Sequence, residues 1–497
     1  MNTDTIISMC RESFSAYDEL WLVSARRDHC DNLIDLGIVC EDDFTVVHTH
    51  NDLGRKFKNS KILTPPKISS KSFDGIFSVV DDRIFDEVDR VIRDDLRVAI
   101  LASSPNKPLS DYIKKRSAWE KFTITSPVDD FDKYIDLENK TLLEDILSGI
   151  ESKLGYRILA ESKNMSLDKN YHYIQKLFNA EAGESFFVQE AVSAAGGGTY
   201  KISNQSDFNR VQKILPKGMR VKVSTEIANA YSANGSLCIV PRGAECMVFV
   251  DPLSHKVLDA DCRSNGTYCS VGNDWGINWP KAVNSLYMEI AKSIGEILYK
   301  KYGYSGIVGV DFLVKREKNE YRLYVTEINP RWQGTTLYQT YNAILSNRIP
   351  LELIHYILKL SKGGANNKVL GTIGSSEDYN VKSVKSVSSP GVYYLKLYAP
   401  REPKLIKSDM NGRWNFKDGN ILNRQQLNIL EDIKKDGGGC VVYIKSPSLG
   451  SVAYGEFSPI GYIFGKNLHV FKRDKPGATS DYSRLINTVS RKLYGSL

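Results

Sequence analysis

The sequence lacks the features that mark membrane, disulfide-rich and zinc-binding proteins. No apolar run reaches the length of about 18 residues that a membrane-spanning helix needs, and Met1–Phe14 carries Asp4, Arg11 and Glu12 where a signal peptide has an apolar core. The eight cysteines form no CxxC pair and no regular spacing, which gives neither a disulfide framework nor a zinc motif. We therefore expect a cytoplasmic protein with reduced thiols and no membrane partner.

A strong charge of one sign is also missing. The 66 basic and 59 acidic residues leave a net charge of +7, spread along 497 residues, which is too diffuse for a nucleic-acid-binding surface. No GxGxxG follows a predicted strand, so a dinucleotide site is not expected. The length exceeds what one hydrophobic core usually supports, so we expect several domains and no nucleic-acid partner.

The most informative segment that is present runs from residue 306 to 334, GIVGVDFLVKREKNEYRLYVTEINPRWQG. Two runs rich in β-branched and aromatic residues, Ile307–Lys315 and Tyr321–Glu327, are separated by the charged stretch Arg316–Glu320. This pattern predicts two strands joined by a turn, a β-hairpin.

The hairpin would bring acidic side chains together. If the turn centres on Asn319, Asp311 and Glu327 lie opposite each other with their side chains on one face, and Asn329 projects the same way. Facing carboxylates repel unless a positive charge lies between them, and this all-oxygen set suits Mg²⁺ or Mn²⁺. Arg331 follows at once and could bind a phosphate or a developing oxyanion. The alternative is a sheet rim with solvated carboxylates.

GVDF followed by VTEINPR resembles the metal-binding signature of the ATP-grasp superfamily, which includes ATP-dependent carboxylate–amine and carboxylate–thiol ligases. The resemblance implies that Asp311, Glu327 and Asn329 hold Mg²⁺ (or Mn²⁺) ions that bridge the phosphates of ATP. It also implies that Arg331 contacts the transferred phosphate or the acyl intermediate.

A glycine-rich stretch precedes this hairpin by about 115 residues. The glycines between two predicted strands permit positive φ and let backbone N–H groups close over an anion. In ATP-grasp enzymes a loop at this position covers the phosphates of ATP, which implies nucleotide contacts for Gly196, Gly197, Gly198 and Thr199. The family usually has a lysine on the strand entering the loop. Here Gln189 stands at that position, and Lys201 or Lys222 are the alternatives for the missing charge.

The resemblance implies further contacts. Lys140, at the start of a predicted amphipathic helix, would contact the nucleotide, with an exposed helix lysine as the alternative. Ser224–Ile227 would form the hinge that crosses the adenine, and Glu226 would bind the ribose. Asn273 lies in the Gly-, Asn- and Ser-rich stretch Asp261–Trp275, and we expect it on the substrate side, although a plain connection fits equally well.

Short apolar runs that alternate with helical spacing in the first 135 residues predict a parallel sheet. The predicted fold class is a multidomain α/β and α+β protein. It comprises an N-terminal parallel-sheet pre-ATP-grasp domain (1–135), a two-lobed ATP-grasp domain with antiparallel sheets (136–362, lid about 160–225), a linker or loop (363–390) and a β-rich C-terminal cap domain (391–497).

The predicted function is an ATP-dependent carboxylate–amine ligase. It would activate a carboxylate as an acyl phosphate, join it to an amine and release ADP and phosphate, with amino acids or peptides as substrates. The alternatives are an ATP-grasp kinase, a carboxylase-like enzyme and a nucleotide-binding sensor without turnover. The expected partners are a small-molecule carboxylate and an amine, and homodimers are common among similar enzymes.

Overall fold

The structure, a computed structural model, describes residues 3–24, 27–49, 57–65, 80–128, 130–181, 183–193, 198–259, 269–318, 320–361, 371–385, 392–400, 402–417, 420–425, 441–447, 449–453, 459–466, 468 and 479–495. The α-helices are α1 Thr3–Phe14, α2 Asp31–Asp35, α3 Arg83–Arg93, α4 Lys107–Lys115, α5 Phe131–Glu138, α6 Leu143–Leu154, α7 Tyr171–Leu177, α8 Gln205–Ile214, α9 Lys281–Tyr302, α10 Thr336–Leu345, α11 Leu351–Leu360, α12 Ser376–Lys385 and α13 Ser480–Tyr494. The strands are β1 Glu19–Ser24, β2 Phe44–Thr49, β3 Lys61–Leu63, β4 Val98–Leu101, β5 Phe122–Ile124, β6 Ser162–Ser166, β7 Phe186–Glu190, β8 Thr199–Ile202, β9 Arg220–Thr225, β10 Tyr231–Arg242, β11 Glu245–Val250, β12 Ser254–Asp259, β13 Cys269–Asp274, β14 Gly306–Glu317, β15 Glu320–Asn329, β16 Val392–Tyr398, β17 Lys404–Leu405, β18 Gly412–Lys417, β19 Asn420–Gln425, β20 Val441–Lys445, β21 Val452–Ala453 and β22 Pro459–Lys466. Within these ranges no helix is long and apolar enough to cross a membrane.

The N-terminal part is a five-stranded parallel sheet in the order β3-β2-β1-β4-β5. The apolar residues of β1 and β4 are buried, which is typical of parallel strands covered on both faces. The parallel sheet predicted from the sequence is confirmed. The apolar run at 75–80, which the sequence pattern also predicts to be a strand, lies outside the described residues except for Val80.

The lid and central sheets follow. Strands β6 to β9 form an antiparallel lid sheet in the order β6-β9-β7-β8. An eleven-stranded sheet has the order β15-β14-β10-β12-β13-β16-β22-β20-β18-β19, with β11 paired to β10. The C-terminal strands therefore extend the central sheet through the β13–β16 pair. Gly272 permits this close approach, because a Cβ there would lie 2.0 Å from the carbonyl oxygen of Tyr394.

The β14–β15 hairpin pairs Asp311 with Glu327, as predicted. Its turn is one residue shorter than expected, because a turn centred on Asn319 would pair Glu317 with Tyr321, whereas Glu317 pairs with Glu320. Continued without interruption, that register would place Thr326 opposite Asp311. A β-bulge adds one residue to β15 between the two positions and brings Glu327 opposite Asp311 instead.

The segment 363–390, predicted to be a linker or loop, contains helix α12, so the prediction is wrong for Ser376–Lys385. The polar residues of this segment are not all exposed to solvent. Asn380 is buried, accepts from the backbone N–H of Val250 at 2.8 Å and donates to the carbonyl of Val248 at 2.9 Å. An asparagine that looks solvent-facing in the sequence thus satisfies the backbone of β11.

Candidate functional site

A cavity of about 810 Å³ lies where the lid sheet and the central sheet face each other. Strands β7, β8 and β9 of the lid contribute to its wall, together with β10, β12, β14 and β15 of the central sheet and β16 and β22 from the C-terminal part. This volume is in the range of small-molecule and cofactor sites.

The facing carboxylates of Asp311 and Glu327 lie on the cavity wall, with Asn329 beside them. The Nδ2 atom of Asn234 donates to Oδ1 of Asp311 at 2.6 Å and to Oε1 of Gln333 at 3.0 Å. Gly309 makes room for this contact, because a Cβ there would lie 1.9 Å from the Gln333 side chain. The Asp311 carboxylate is therefore held in place from the neighbouring strand.

Two lysines compensate the two carboxylates. Lys256 Nζ lies 2.5 Å from Oδ2 of Asp311, and Lys140 Nζ lies 3.3 Å from Oε1 of Glu327. Burial works to lower the pKa of Lys256, but Asp311 and Glu327 outweigh it, so the pKa of Lys256 is raised. The two facing carboxylates are thus stabilised by nearby positive charge, and a divalent cation would supply such charge. The candidate set is two carboxylates and one amide; no cluster of three or more His, Cys, Asp or Glu occurs in the described part of the chain.

Arg331 is held at the same end of the hairpin. Its Nε lies 2.6 Å from Oε1 of Glu138, and its Nη2 donates to Oδ1 of Asn329 at 2.9 Å. Burial works to lower the pKa of Arg331, but the Glu138 carboxylate outweighs it, and the pKa is raised. The guanidinium therefore stays charged beside the candidate metal ligands.

The lid contributes a lysine that lines the cavity. Gln189 on β7 pairs with Lys222 on β9 and with Thr199 on β8, and all three line the cavity. Burial and the nearby Lys140 lower the pKa of Lys222 to about 8. A buried ammonium group beside Gln189 is thus available to an anion in this part of the cavity.

The hinge segment Ser224–Ile227 lines the cavity as well. The Glu226 carboxylate is 2.7 Å from Nζ of Lys201, and the Glu226 backbone N–H donates to the Ser185 carbonyl at 3.0 Å. Apolar side chains from both sheets complete this end, namely those of Phe187, Ile227, Leu313 and Val325. A flat apolar group could lie between them.

Three comparisons with known proteins bear on this arrangement. No family model matches the chain. A formate-dependent phosphoribosylglycinamide formyltransferase of Marinobacter nauticus is 26% identical over 168 residues, which are 33% of this chain and 38% of that protein. The match therefore spans well under half of the curated relative.

Solved structures match over most of the chain. The biotin carboxylase domain of 2-oxoglutarate carboxylase from Hydrogenobacter thermophilus, solved with MgADP, ADP and bicarbonate, has a TM-score of 0.57 at 11% identity, covering 90% of this chain and 86% of that one. Carboxyaminoimidazole ribonucleotide synthase from Aspergillus clavatus, complexed with ATP, has a TM-score of 0.52 at 12% identity, covering 95% and 98%. The chain has the ATP-grasp fold. The fold class predicted from the sequence is confirmed.

The ATP-grasp structure brings most of the predicted site residues to one cavity. Those on its wall are Gln189, Thr199, Ser224, Glu226, Ile227, Asn273, Asp311, Glu327, Asn329 and Arg331. Of the glycine-rich stretch, Gly196 and Gly197 lie outside the described residues. Gly198 is buried, its carbonyl accepts from the N–H of Glu190 at 2.9 Å, and a Cβ there would lie 2.7 Å from Ser193.

Lys140 is buried and does not occupy the exposed helix position that was the alternative. Its backbone N–H donates to the Ala191 carbonyl at 2.7 Å, and its Nζ to the Ser193 carbonyl at 3.2 Å. It therefore connects the end of the lid strand β7 to Glu327.

Asn273 is buried on β13 and pairs with Lys256 on one side and Tyr394 on the other. Its Nδ2 donates to Oγ of Ser254 at 2.9 Å, so its amide is held by a neighbouring strand. Its place in the cavity wall is compatible with the substrate role predicted for it, which stays a prediction.

Sequence reasoning missed three residues of this candidate site: Lys256, Asn234 and Glu138. Lys256 and Asn234 belong to strands β12 and β10, whose neighbours in the sheet cannot be read from local periodicity. The one available signal was composition, because a lysine or asparagine within a strand needs a partner when it is buried.

Proposed function

We propose that the chain is an ATP-dependent ligase that activates a carboxylate as an acyl phosphate, joins it to an amine and releases ADP and phosphate. The observation that carries the proposal is the pairing of Asp311 with Glu327 on the wall of a cavity that also holds Arg331. Asp311, Glu327 and Asn329 would hold Mg²⁺, which would supply positive charge to the nucleotide phosphates.

Each of the remaining groups has a role that follows from its position in the cavity. The apolar end beside Ser224–Ile227 binds the adenine, and Lys222 binds phosphate oxygens from the lid side, with the positive charge of Lys140 nearby. Arg331 stabilises the charge on the transferred phosphoryl group. A carboxylate is a poor electrophile until it is phosphorylated, so catalysis consists of alignment and charge stabilisation, and no protein nucleophile is needed.

The second substrate binds toward the C-terminal strands. Asn273, Tyr394, Lys396 and Tyr462 line that part of the cavity. Asp311 on β14 and Tyr394 on β16 are four strands apart in the sheet. At about 4.8 Å between neighbouring strands, this separation is roughly 19 Å across the strands. This length supports an acceptor larger than ammonia.

Two of the similar proteins are named with small carboxylates. The formyltransferase is formate-dependent, and the carboxylase structure contains bicarbonate. None of the similar proteins reported above is named for an amino-acid or peptide substrate, so the amino acids or peptides predicted from the sequence have no support from the comparisons. Formate and bicarbonate are the first carboxylates to test.

The test uses oxygen transfer. An acyl phosphate intermediate moves one carboxylate oxygen to phosphate, so ¹⁸O-labelled formate or amino acids, incubated with the protein, ATP, Mg²⁺ and candidate amines, should give ¹⁸O-phosphate detectable by ³¹P NMR. Unlabelled phosphate with product formation, or a stable phosphorylated product as from a kinase, would contradict the ligase. Nucleotide binding without turnover on any carboxylate would indicate a sensor.

A carboxylase-like enzyme is the second candidate, favoured by the likeness to biotin carboxylase structures. It would use the same site with bicarbonate as the carboxylate. Retention of ¹³C from labelled bicarbonate in the product, with phosphate release that depends on bicarbonate, separates this candidate from a ligase that uses an organic acid.

A further inference from the structure

Glu138 is a buried carboxylate that the proposed chemistry does not use directly. Its side chain is 0% exposed, and burial raises its pKa although Arg331 opposes the shift. Its Oε1 lies 2.6 Å from Nε of Arg331, and its Oε2 has no hydrogen-bond partner among the described residues. Burying a charged carboxylate is energetically costly, which points to a specific role for Glu138.

The position of Glu138 in the chain is informative. It is the last residue of α5 and stands two residues before Lys140. Two ion pairs therefore connect the short corner at residues 138–140 to the end of the hairpin strand β15 and the residues just after it. Glu138 pairs with Arg331, and Lys140 pairs with Glu327, so the corner contributes the acid to one pair and the base to the other. This corner fixes two groups of the cavity relative to each other.

Glu138 is one of the residues that contact the guanidinium of Arg331. The Glu138 carboxylate forms an ion pair on the Nε side, while Nη1 donates to the Trp332 carbonyl at 3.3 Å and Nη2 to Oδ1 of Asn329 at 2.9 Å. Arg331 also interacts electrostatically with Glu327. Without Glu138, the flexible guanidinium would be drawn toward the metal-binding carboxylates.

We propose that Glu138 is a positioning residue that holds the guanidinium of Arg331 toward the phosphoryl group being transferred. The inference rests on the proposed function, since it concerns the same site. A displacement of a catalytic group by about 1 Å can lower the reaction rate by about 10²-fold. The contribution of such a group to nucleotide binding in the ground state changes much less.

The test measures binding, which needs no identified substrate. Affinities of the purified chain for MgADP and for MgADP with aluminium fluoride, a mimic of the transferring phosphoryl group, are compared by calorimetry. We expect Glu138→Gln to bind MgADP within about twofold of the wild type and the fluoride complex about 10²-fold more weakly. Glu138→Asp keeps the charge and should lose less.

A matched control is Asp251→Asn, which breaks the similarly buried 2.6 Å ion pair of Asp251 with Arg348 away from the cavity wall. It should change neither affinity. Wild-type affinity for the fluoride complex in Glu138→Gln, or an equal loss for MgADP and the fluoride complex, overturns the inference. If circular dichroism shows Glu138→Gln unfolded, Glu138→Asp decides on the same two readouts. A wild type that binds no MgADP overturns the proposed function instead.

Discussion

Lys256 Nζ lies 2.5 Å from Oδ2 of Asp311, so an ammonium group occupies the charge-compensating position at a candidate metal ligand. The two residues come from β12 and β14, which are separated in the sheet by β10. Each of the facing carboxylates forms an ion pair with a lysine, Asp311 with Lys256 and Glu327 with Lys140. A metal ion that binds Asp311 must compete with Lys256.

Lys256→Met should therefore strengthen metal binding in the absence of nucleotide. Removal of the competing ammonium leaves Lys140 to compensate the two carboxylates, which favours the binding of a divalent ion. We expect Mn²⁺, followed by electron paramagnetic resonance, to bind a few-fold more tightly, about the worth of one ion pair. Unchanged or weaker Mn²⁺ binding would contradict the competition.

Glu327→Gln should reduce Mg²⁺-dependent turnover by about 10²-fold or more while leaving the fold largely intact. The variant removes one candidate metal ligand and the partner of Lys140, so we also expect a loss of stability of about 1–2 kcal/mol. Phosphate release and thermal melting measure the two effects. Glu317→Gln, on the same hairpin and paired with Arg322 at 3.0 Å, is the matched control and should keep activity. Wild-type turnover in Glu327→Gln would refute the metal assignment.

MgADP affinity should fall as the pH rises above about 8. Lys222 has a pKa lowered to about 8 by burial and by Lys140, against the opposing effects of Glu144 and Glu327. A bound phosphate raises this pKa, so binding above about pH 8 takes up a proton and weakens by up to about tenfold per pH unit. Calorimetry from pH 7 to 9.5 measures the trend.

Lys222→Met should bind MgADP more weakly and show a flatter profile. Lys213→Met, at an exposed position on the lid helix α8, is the control and should keep the wild-type profile. A wild-type profile in Lys222→Met would assign the pH dependence to another group.

Glu352 should make stability pH-dependent away from the cavity. It is fully buried, it accepts from Oγ1 of Thr340 at 2.5 Å and from Nδ2 of Asn32, and burial raises its pKa from 4.5 to about 7. The folded state therefore keeps a proton that the unfolded state has lost, and stability falls as the pH rises from about 4.5 to about 7.

Glu352→Gln carries no charge and should escape this loss. At pH 8 we expect the variant to be more stable than the wild type, by an amount on the order of a few kcal/mol, and at pH 4 the advantage should vanish. Melting temperatures at the two pH values check the prediction. An advantage that is the same at both pH values would show that charge is not the cause.

The sequence by itself determined the hairpin and the residues that face each other on it. Strand alternation places Asp311, Glu327 and Asn329 on one face, and this depends only on period-two geometry within about twenty residues. The backbone reaches this pairing in a different way from the one predicted. A shorter turn and a β-bulge together give the pairing that a turn centred on Asn319 predicts. A bulge has no clear local signature, so only the pairing could be predicted.

The tertiary structure decided what surrounds those side chains. Lys256 reaches Asp311 across 55 residues of chain, and Glu138 reaches Arg331 from a helix that ends long before the hairpin begins. Such contacts depend on strand order and helix packing, which are set by burial of the whole core and not by the residues in contact. The sequence therefore predicted which groups carry negative charge, and the fold determined which positive groups compensate them.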